Sequence, residues 1–373
     1  MRDQFPITKE YIFFDVANKN ALPIPVTSVI ADYLYKQQTT GGNKDEWKKT
    51  MEEARVNLAR LINGCPEEIA FTKNTSEGLN IAANGIPFRP GDNVILNDNE
   101  HPNNIYCWLN LADKGVKVRW APSKKGMVMA DDIEQLIDNS TRAVSVSFVT
   151  FMPGNRNDIT AISKVCRAKG IYLVVDVVQG LGILDVDVVK LGIDMFAASG
   201  HKGLLSPHGI GVFYCRKEVM DQIKPTYVAR GSMIAPVAIE HDKLDYKLLL
   251  SDVATRYEIG NHNYLGITAL NEGLKFINAI GINIIKKRVL ELSGYLSERL
   301  TALGVELLSP TEELYRSGIV CFRTADTAGL YRWLQQNKVI VSYRRDSIRA
   351  SLHFYNTKEE IDRFLQLIRD FLF

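Results

Sequence analysis

Residues 171–214 read IYLVVDVVQGLGILDVDVVKLGIDMFAASGHKGLLSPHGIGVFY and bring an acid and an amine within reach of one small molecule. The apolar, β-branched run 171–175 stops on a carboxylate, Asp176, as a buried parallel strand does at its C-terminal end. Ligands of open α/β sheets gather at such strand ends. A second apolar run, 193–198, delivers Ser199, Gly200, His201 and Lys202, and a glycine-rich stretch follows to Gly211. Lys202 therefore rides on a turn among small residues, close to Asp176. A lysine amine condenses with an aldehyde, and a carboxylate facing a pyridine nitrogen keeps it protonated, which makes the ring an electron sink. The pair suits pyridoxal phosphate. Taken alone it also describes a surface lysine and a strand-end aspartate, so the rest of the chain must decide.

Asp176-Val177-Val178-Gln179, followed at this distance by Ser199-Gly200-His201-Lys202, resembles the fold-type I pyridoxal phosphate enzymes of aminotransferase class V. That family includes cysteine desulfurases, cysteine/cystine lyases, selenocysteine lyases, kynureninases and isopenicillin N epimerases. The resemblance runs over nearly the whole chain, with several separate motifs in the family's order. It implies that Lys202 carries the cofactor and that Asp176 pairs with the ring nitrogen. It makes Gln179 the partner of the phenolic oxygen, with Ser199 and His201 beside the cofactor.

Five further motifs fit the same resemblance. Thr75 and Ser76 follow a strand and open an apolar-periodic helix, where free N–H groups, the dipole and two hydroxyls suit either a cofactor phosphate or a plain helix cap. His101, after Glu100 at another strand end, matches the family's ring-stacking position and can relay protons; otherwise it is a polar strand-end residue. Arg349, in Arg349-Ala350-Ser351, matches the arginine that grips the substrate α-carboxylate, although it also lies near an Arg344-Arg345 cluster. Asn18 sits in the entry segment that helps form the substrate pocket, as a substrate contact or a turn residue. Asn261, in Arg256-Tyr257-Glu258-Ile259-Gly260-Asn261, stands where the family has a threonine that reaches the neighbouring subunit's phosphate; the resemblance therefore implies a homodimer.

The elements that must position these residues are legible in outline. Strands alternate with helices from about residue 68 to 215, which predicts an α/β fold with a mostly parallel sheet between helices; the resemblance makes it a seven-stranded type. Helical spacing over 26–61 is interrupted at 39–43, residues 216–250 are irregular and charged, and a long helical pattern from Gly266 to about Leu303 leads into a small C-terminal α+β unit. The expected division is an N-terminal segment, 1–24, a large cofactor-binding unit, 25–265, and a smaller one, 266–373.

Composition excludes several classes. The 373 residues carry a net charge of +2, too small for a nucleic-acid or membrane-surface argument, and 46% are hydrophobic. No apolar run approaches the roughly 20 residues that span a bilayer, and the first residues lack a signal peptide's apolar core, so a cytoplasmic location is expected. Five scattered cysteines without CxxC spacing predict neither disulfides nor a metal site. No GxxxxGK[ST] motif is present.

The chemistry expected is bond-breaking at Cα or Cβ of an amino acid joined to the cofactor through its amine. Cysteine desulfurases need a nucleophilic cysteine shortly before the carboxylate-binding arginine, and none lies between Cys321 and Arg349; nothing in its spacing makes Cys107 a replacement. A β-eliminating C–S lyase on a cysteine-type substrate is therefore expected. Epimerisation, transamination and decarboxylating carbon–carbon bond formation are the alternatives, and a non-catalytic cofactor-binding protein the least favoured.

Overall fold

The computed structural model describes residues 1–234 and 248–373. Strand β1 (Ile12–Phe13) precedes two helices, Ile24–Thr40 and Lys44–Ile62. These are separated by Gly41 and Gly42, both at positive φ, and the second is capped by Asn43, whose Oδ1 accepts from the N–H groups of Asp45 and Glu46. Strands β2 (Ile69–Thr72), β3 (Asn93–Asn97), β4 (Lys117–Ala121), β5 (Thr141–Ser147), β6 (Tyr172–Asp176), β7 (Met195–Ser199) and β8 (Gly211–Cys215) then alternate with helices. They form one seven-stranded sheet in the order β2-β8-β7-β6-β5-β3-β4. Strands β3 to β7 pair in parallel, and only β8 is reversed against both of its neighbours.

Helices cover both faces of this sheet, which is why its central strands read as unbroken apolar runs. Leu173 and Val175 of β6, with Phe196 and Ala198 of β7, join one hydrophobic core; Val174, Met195 and Ala197 join the other. The α/β architecture and mostly parallel seven-stranded sheet expected from the sequence are observed.

The C-terminal part contributes β9 (Glu306–Leu307), β10 (Ile319–Arg323), β11 (Val339–Ile340), β12 (Ser342–Arg344) and β13 (Ser347–Ser351). Four of them make an antiparallel sheet, β12-β13-β10-β9, whose own core gathers Phe322, Ile348 and Phe364. Strand β11 instead pairs in parallel with β1, so the N-terminal segment is tied to the C-terminal unit.

The long helix expected over 266–303 is in fact two, Tyr264–Ile280 and Ile282–Ala302, broken at Gly281, where φ is +89°. The first of them packs on the two N-terminal helices. The stretch expected to be irregular contains a helical turn, Lys217–Met220, and residues 235–247 lie outside the described residues. Among the described residues no helix is long and apolar enough to cross a membrane.

Candidate active site

Five chain segments converge at one end of the main sheet because parallel strands place their C-terminal ends together. Asp176 ends β6, its backbone directly opposite Ser147 at the end of β5 and Ala197 of β7. β7 ends on Ser199 and passes through Gly200 and His201 to Lys202. β3 leads to Glu100 and His101, and β2 leads to the helix Thr75–Gly85.

Asp176 is buried, and burial raises its carboxyl to about 6, against the opposing pull of the Val178 N–H, 3.0 Å from Oδ1, and of Lys202. Burial lowers the Lys202 amine to about 8; Asp176 pulls it upward while Arg349 and Arg344 push it down. The two groups therefore feel each other's charge, and both sit near the protonation boundary that acid–base work requires. His101 is kept neutral: burial, then the positive charges of Lys202, Arg349 and Arg344, lower it to about 4. Its ring meets Phe151 edge-on with centroids 5.1 Å apart, and its Nδ1 accepts from the Asn103 N–H.

The helix at Thr75 begins with a small polar cradle. Asn74 caps it by accepting from the Glu77 N–H, the Thr75 N–H donates to Ser199 Oγ at 2.8 Å, and the two hydroxyls of Thr75 and Ser199 are 2.7 Å apart. The Ser76 N–H, at the first turn, bonds no group among the described residues. Backbone approach here is close. A Cβ on Gly211 would lie 2.8 Å from the Asn74 Cα, and one on Gly78 would lie 2.7 Å from the Ala197 Cβ. His201 stacks on His208, with centroids 4.0 Å apart, and its carbonyl accepts from the Asn20 N–H.

On the other side Arg349 is buried in β13. Its Nη1 donates to the Phe151 carbonyl at 3.0 Å and its Nη2 to Ser342 Oγ at 3.3 Å. Ser342 in turn donates to Asp15 Oδ1, and Asn18 donates to Asp15 Oδ2 at 3.0 Å. Asn18 thus belongs to a chain of bonds that ends on Arg349. Gln179 donates to the Ala17 carbonyl at 3.1 Å, and Ala17 donates to Ser351 Oγ. The N-terminal segment therefore stitches the Lys202 turn, Gln179 and the Arg349 strand together. Asn261 does not join this group within one chain: it is exposed.

Two residues escaped the sequence reading. Glu100 is buried behind His101, its carboxylate accepting from the Ser147 N–H, the Ser147 hydroxyl and Asn104; burial raises it to about 7. Asp15 is the hidden support of Arg349. Adjacency to His101 and to the end of an apolar run were the only signals available for either.

A family model, aminotransferase class-V, matches residues 12–364. The chain belongs to the class-V aminotransferase family. It is a family of pyridoxal phosphate enzymes. The chain is 32% identical to a probable cysteine desulfurase of Pyrococcus abyssi over 99% of this chain and 96% of that one. A probable cysteine desulfurase of Methanothermobacter thermautotrophicus is 29% identical, over 97% and 94%. Among solved structures, the apo cysteine desulfurase of Thermococcus onnurineus NA1 superposes with a TM-score of 0.89 at 29% identity, covering 100% of this chain and 97% of that one. A cystine C–S lyase in complex with cysteine persulfide shares the fold, with a TM-score of 0.90 at 24% identity, covering 98% and 99%.

The class-V cofactor fits the groups present. Gln179 Oε1, Ser206 Oγ and Arg349 Nε are buried and have no hydrogen-bond partner, an arrangement that costs stability unless a ligand completes it. They lie around an amine, a carboxylate and a helix N-terminus, the three features an aldehyde, a pyridine nitrogen and a phosphate require.

Proposed function

We propose that this class-V enzyme is a pyridoxal phosphate-dependent C–S lyase, eliminating the β-sulfur substituent of a cysteine-type amino acid without a persulfide-forming cysteine. The observation that carries this reading is the state of the thiols. Cys107, Cys166, Cys215 and Cys321 are buried, and burial pushes each up to about 12, the reverse of an activated nucleophile. Cys321 stands opposite Arg349 across β10 and β13, yet it is fully enclosed. The exposed Cys65 precedes β2, at the opposite end of the sheet from the site.

Bound in the site, the cofactor supplies an aldehyde for the substrate amine and a ring that withdraws electrons from Cα. Thr75, Ser76, Ser199 and His201 would hold its phosphate end, and Gln179 its phenolic oxygen. Asp176 would keep the ring nitrogen protonated, because a buried carboxylate gains most by sharing a proton with a base. His101, uncharged, would offer a flat face to the cofactor without adding a cation beside Lys202. Arg349 fixes the substrate α-carboxylate through its donor fork and so sets which Cα bond points at Lys202. Lys202, with an amine near 8, takes the Cα proton and returns one as needed. Asn261, exposed in one chain, suits a contact to a second copy's phosphate, and we place the working enzyme as a homodimer. Epimerase and aminotransferase readings share the first proton transfer, whereas the carbon–carbon bond-forming reading begins by loss of the α-carboxylate; none of them finds separate support.

Product analysis tests this. Incubation with L-cystine or L-cysteine yields pyruvate and ammonia from a lyase and alanine from a desulfurase. Pyruvate that persists in the Cys107→Ser and Cys321→Ser variants supports elimination. Alanine that disappears in either variant would overturn it.

A further inference from the structure

We propose that Arg344 binds a second negative charge at the far end of the substrate side chain, so that the enzyme prefers sulfur amino acids ending in a carboxylate or a like anion; this rests on the C–S lyase reading. Ser342 is paired directly with Arg349 across β12 and β13, so both side chains share a face. Arg344, two residues along β12, returns to that face. It is exposed, and it lines a cavity of about 460 Å³ together with Asp15, Asn18, Lys19 and Ser342. Ser342, on that lining, accepts from Arg349 Nη2 at 3.3 Å.

The charges of this wall do not balance. Among the described residues no carboxylate pairs with Arg344 or Arg349, and both guanidiniums bear on the Lys202 amine and the His101 ring. Asp15, the carboxylate on the cavity wall, is buried and already engaged, Oδ1 by the Ser342 hydroxyl and Oδ2 by Asn18. Arg345 is occupied elsewhere: it donates to Asn99 Oδ1 at 3.0 Å and lies over the Phe151 ring. An α-carboxylate on Arg349 answers one cation. Arg344, which lines the same cavity as Lys19, is left to answer a charge at the far end of the side chain. A guanidinium fork there matches a planar anion and gives a neutral amide of the same shape little.

The test compares S-carboxymethyl-L-cysteine with its isosteric amide, S-carboxamidomethyl-L-cysteine, on the cofactor-loaded enzyme. Both kcat/KM for pyruvate release and the calorimetric dissociation constant are measured. The acid is expected to be favoured about tenfold or more on both measures, the scale of one charge-assisted hydrogen bond. The ratio falls close to one in Arg344→Gln, and Arg344→Glu turns preference toward S-(2-aminoethyl)-L-cysteine. Affinities that favour the acid while no pyruvate forms would sink the lyase reading and leave the charge recognition standing. A ratio near one in the native enzyme, or one unchanged in Arg344→Gln, would overturn the proposal.

Discussion

Lys202 is held where its charge is costly. Its amine titrates near 8 in the fold but near 10.5 when exposed, so between those values the unfolded chain holds a proton that the folded chain has lost. The stability contribution of this residue therefore rises with pH through that window. In the cofactor-free protein, labelling of Lys202 by an amine-selective reagent should climb through about pH 8. Peptide mass mapping across pH reads this, and a Lys202 midpoint near 10.5 would contradict its placement. Asp176 makes the complementary case. Its carboxyl titrates near 6 rather than 3.8, so above about pH 6 its ionised form costs stability in the empty site, and below 3.8 that cost is gone. Asp176→Asn, which keeps the acceptor for the Val178 N–H, should melt no lower than the native cofactor-free protein at pH 8, yet lose activity by several orders of magnitude with excess cofactor. A drop of several degrees in Tm would show that the carboxylate is structural.

At the scale of elements, the site depends on parts distant in sequence held by buried polar bonds. The Arg256-Tyr257-Glu258 motif illustrates this. Glu258 is buried against Arg55 of the helix Lys44–Ile62 at 2.7 Å, accepts from the Phe71 N–H of β2, and meets His262 at 2.7 Å. Removing Arg55 leaves that carboxylate without its main partner, so Arg55→Ala should cost about 3 kcal/mol, measured as a shift in the urea midpoint at constant slope. A change below about 0.5 kcal/mol would assign the pair to the rank of a surface bridge. Such bonds also mark what the sequence could convey. The strand ends carrying Asp176 and Lys202 were legible because a strand covered on both faces is an unbroken apolar run, and its first polar residue marks its end. The break at 39–43 was legible from paired glycines. Gly281 sits alone in an otherwise continuous helical pattern, and nothing in that pattern marks its positive φ. Asp15 was silent for another reason. Its partner Ser342 is 327 residues away, and no periodicity in one segment reports a bond to another.

For the whole molecule, the N-terminal segment is the fastener. It pairs β1 with β11, gives Ala17 to Gln179 and to Ser351, and ends by donating from Asn20 to the His201 carbonyl. A single chain still leaves Asn261 facing solvent. If that residue completes the phosphate site of a second copy, the protein should sediment at twice the chain mass, and Asn261→Ala should weaken cofactor affinity about tenfold without lowering the Tm of the cofactor-free form. Sedimentation as a monomer with full activity would exclude the arrangement.

On the proposed reading one lysine, Lys202, carried past the end of β7, holds the cofactor. Borohydride reduction of the yellow protein, followed by peptide mapping, tests it most directly. The pyridoxyl mass is predicted on the peptide containing Lys202 and absent from the Lys202→Ala variant. Its appearance on another lysine, or a colourless protein that takes up no label in excess pyridoxal phosphate, would contradict the assignment.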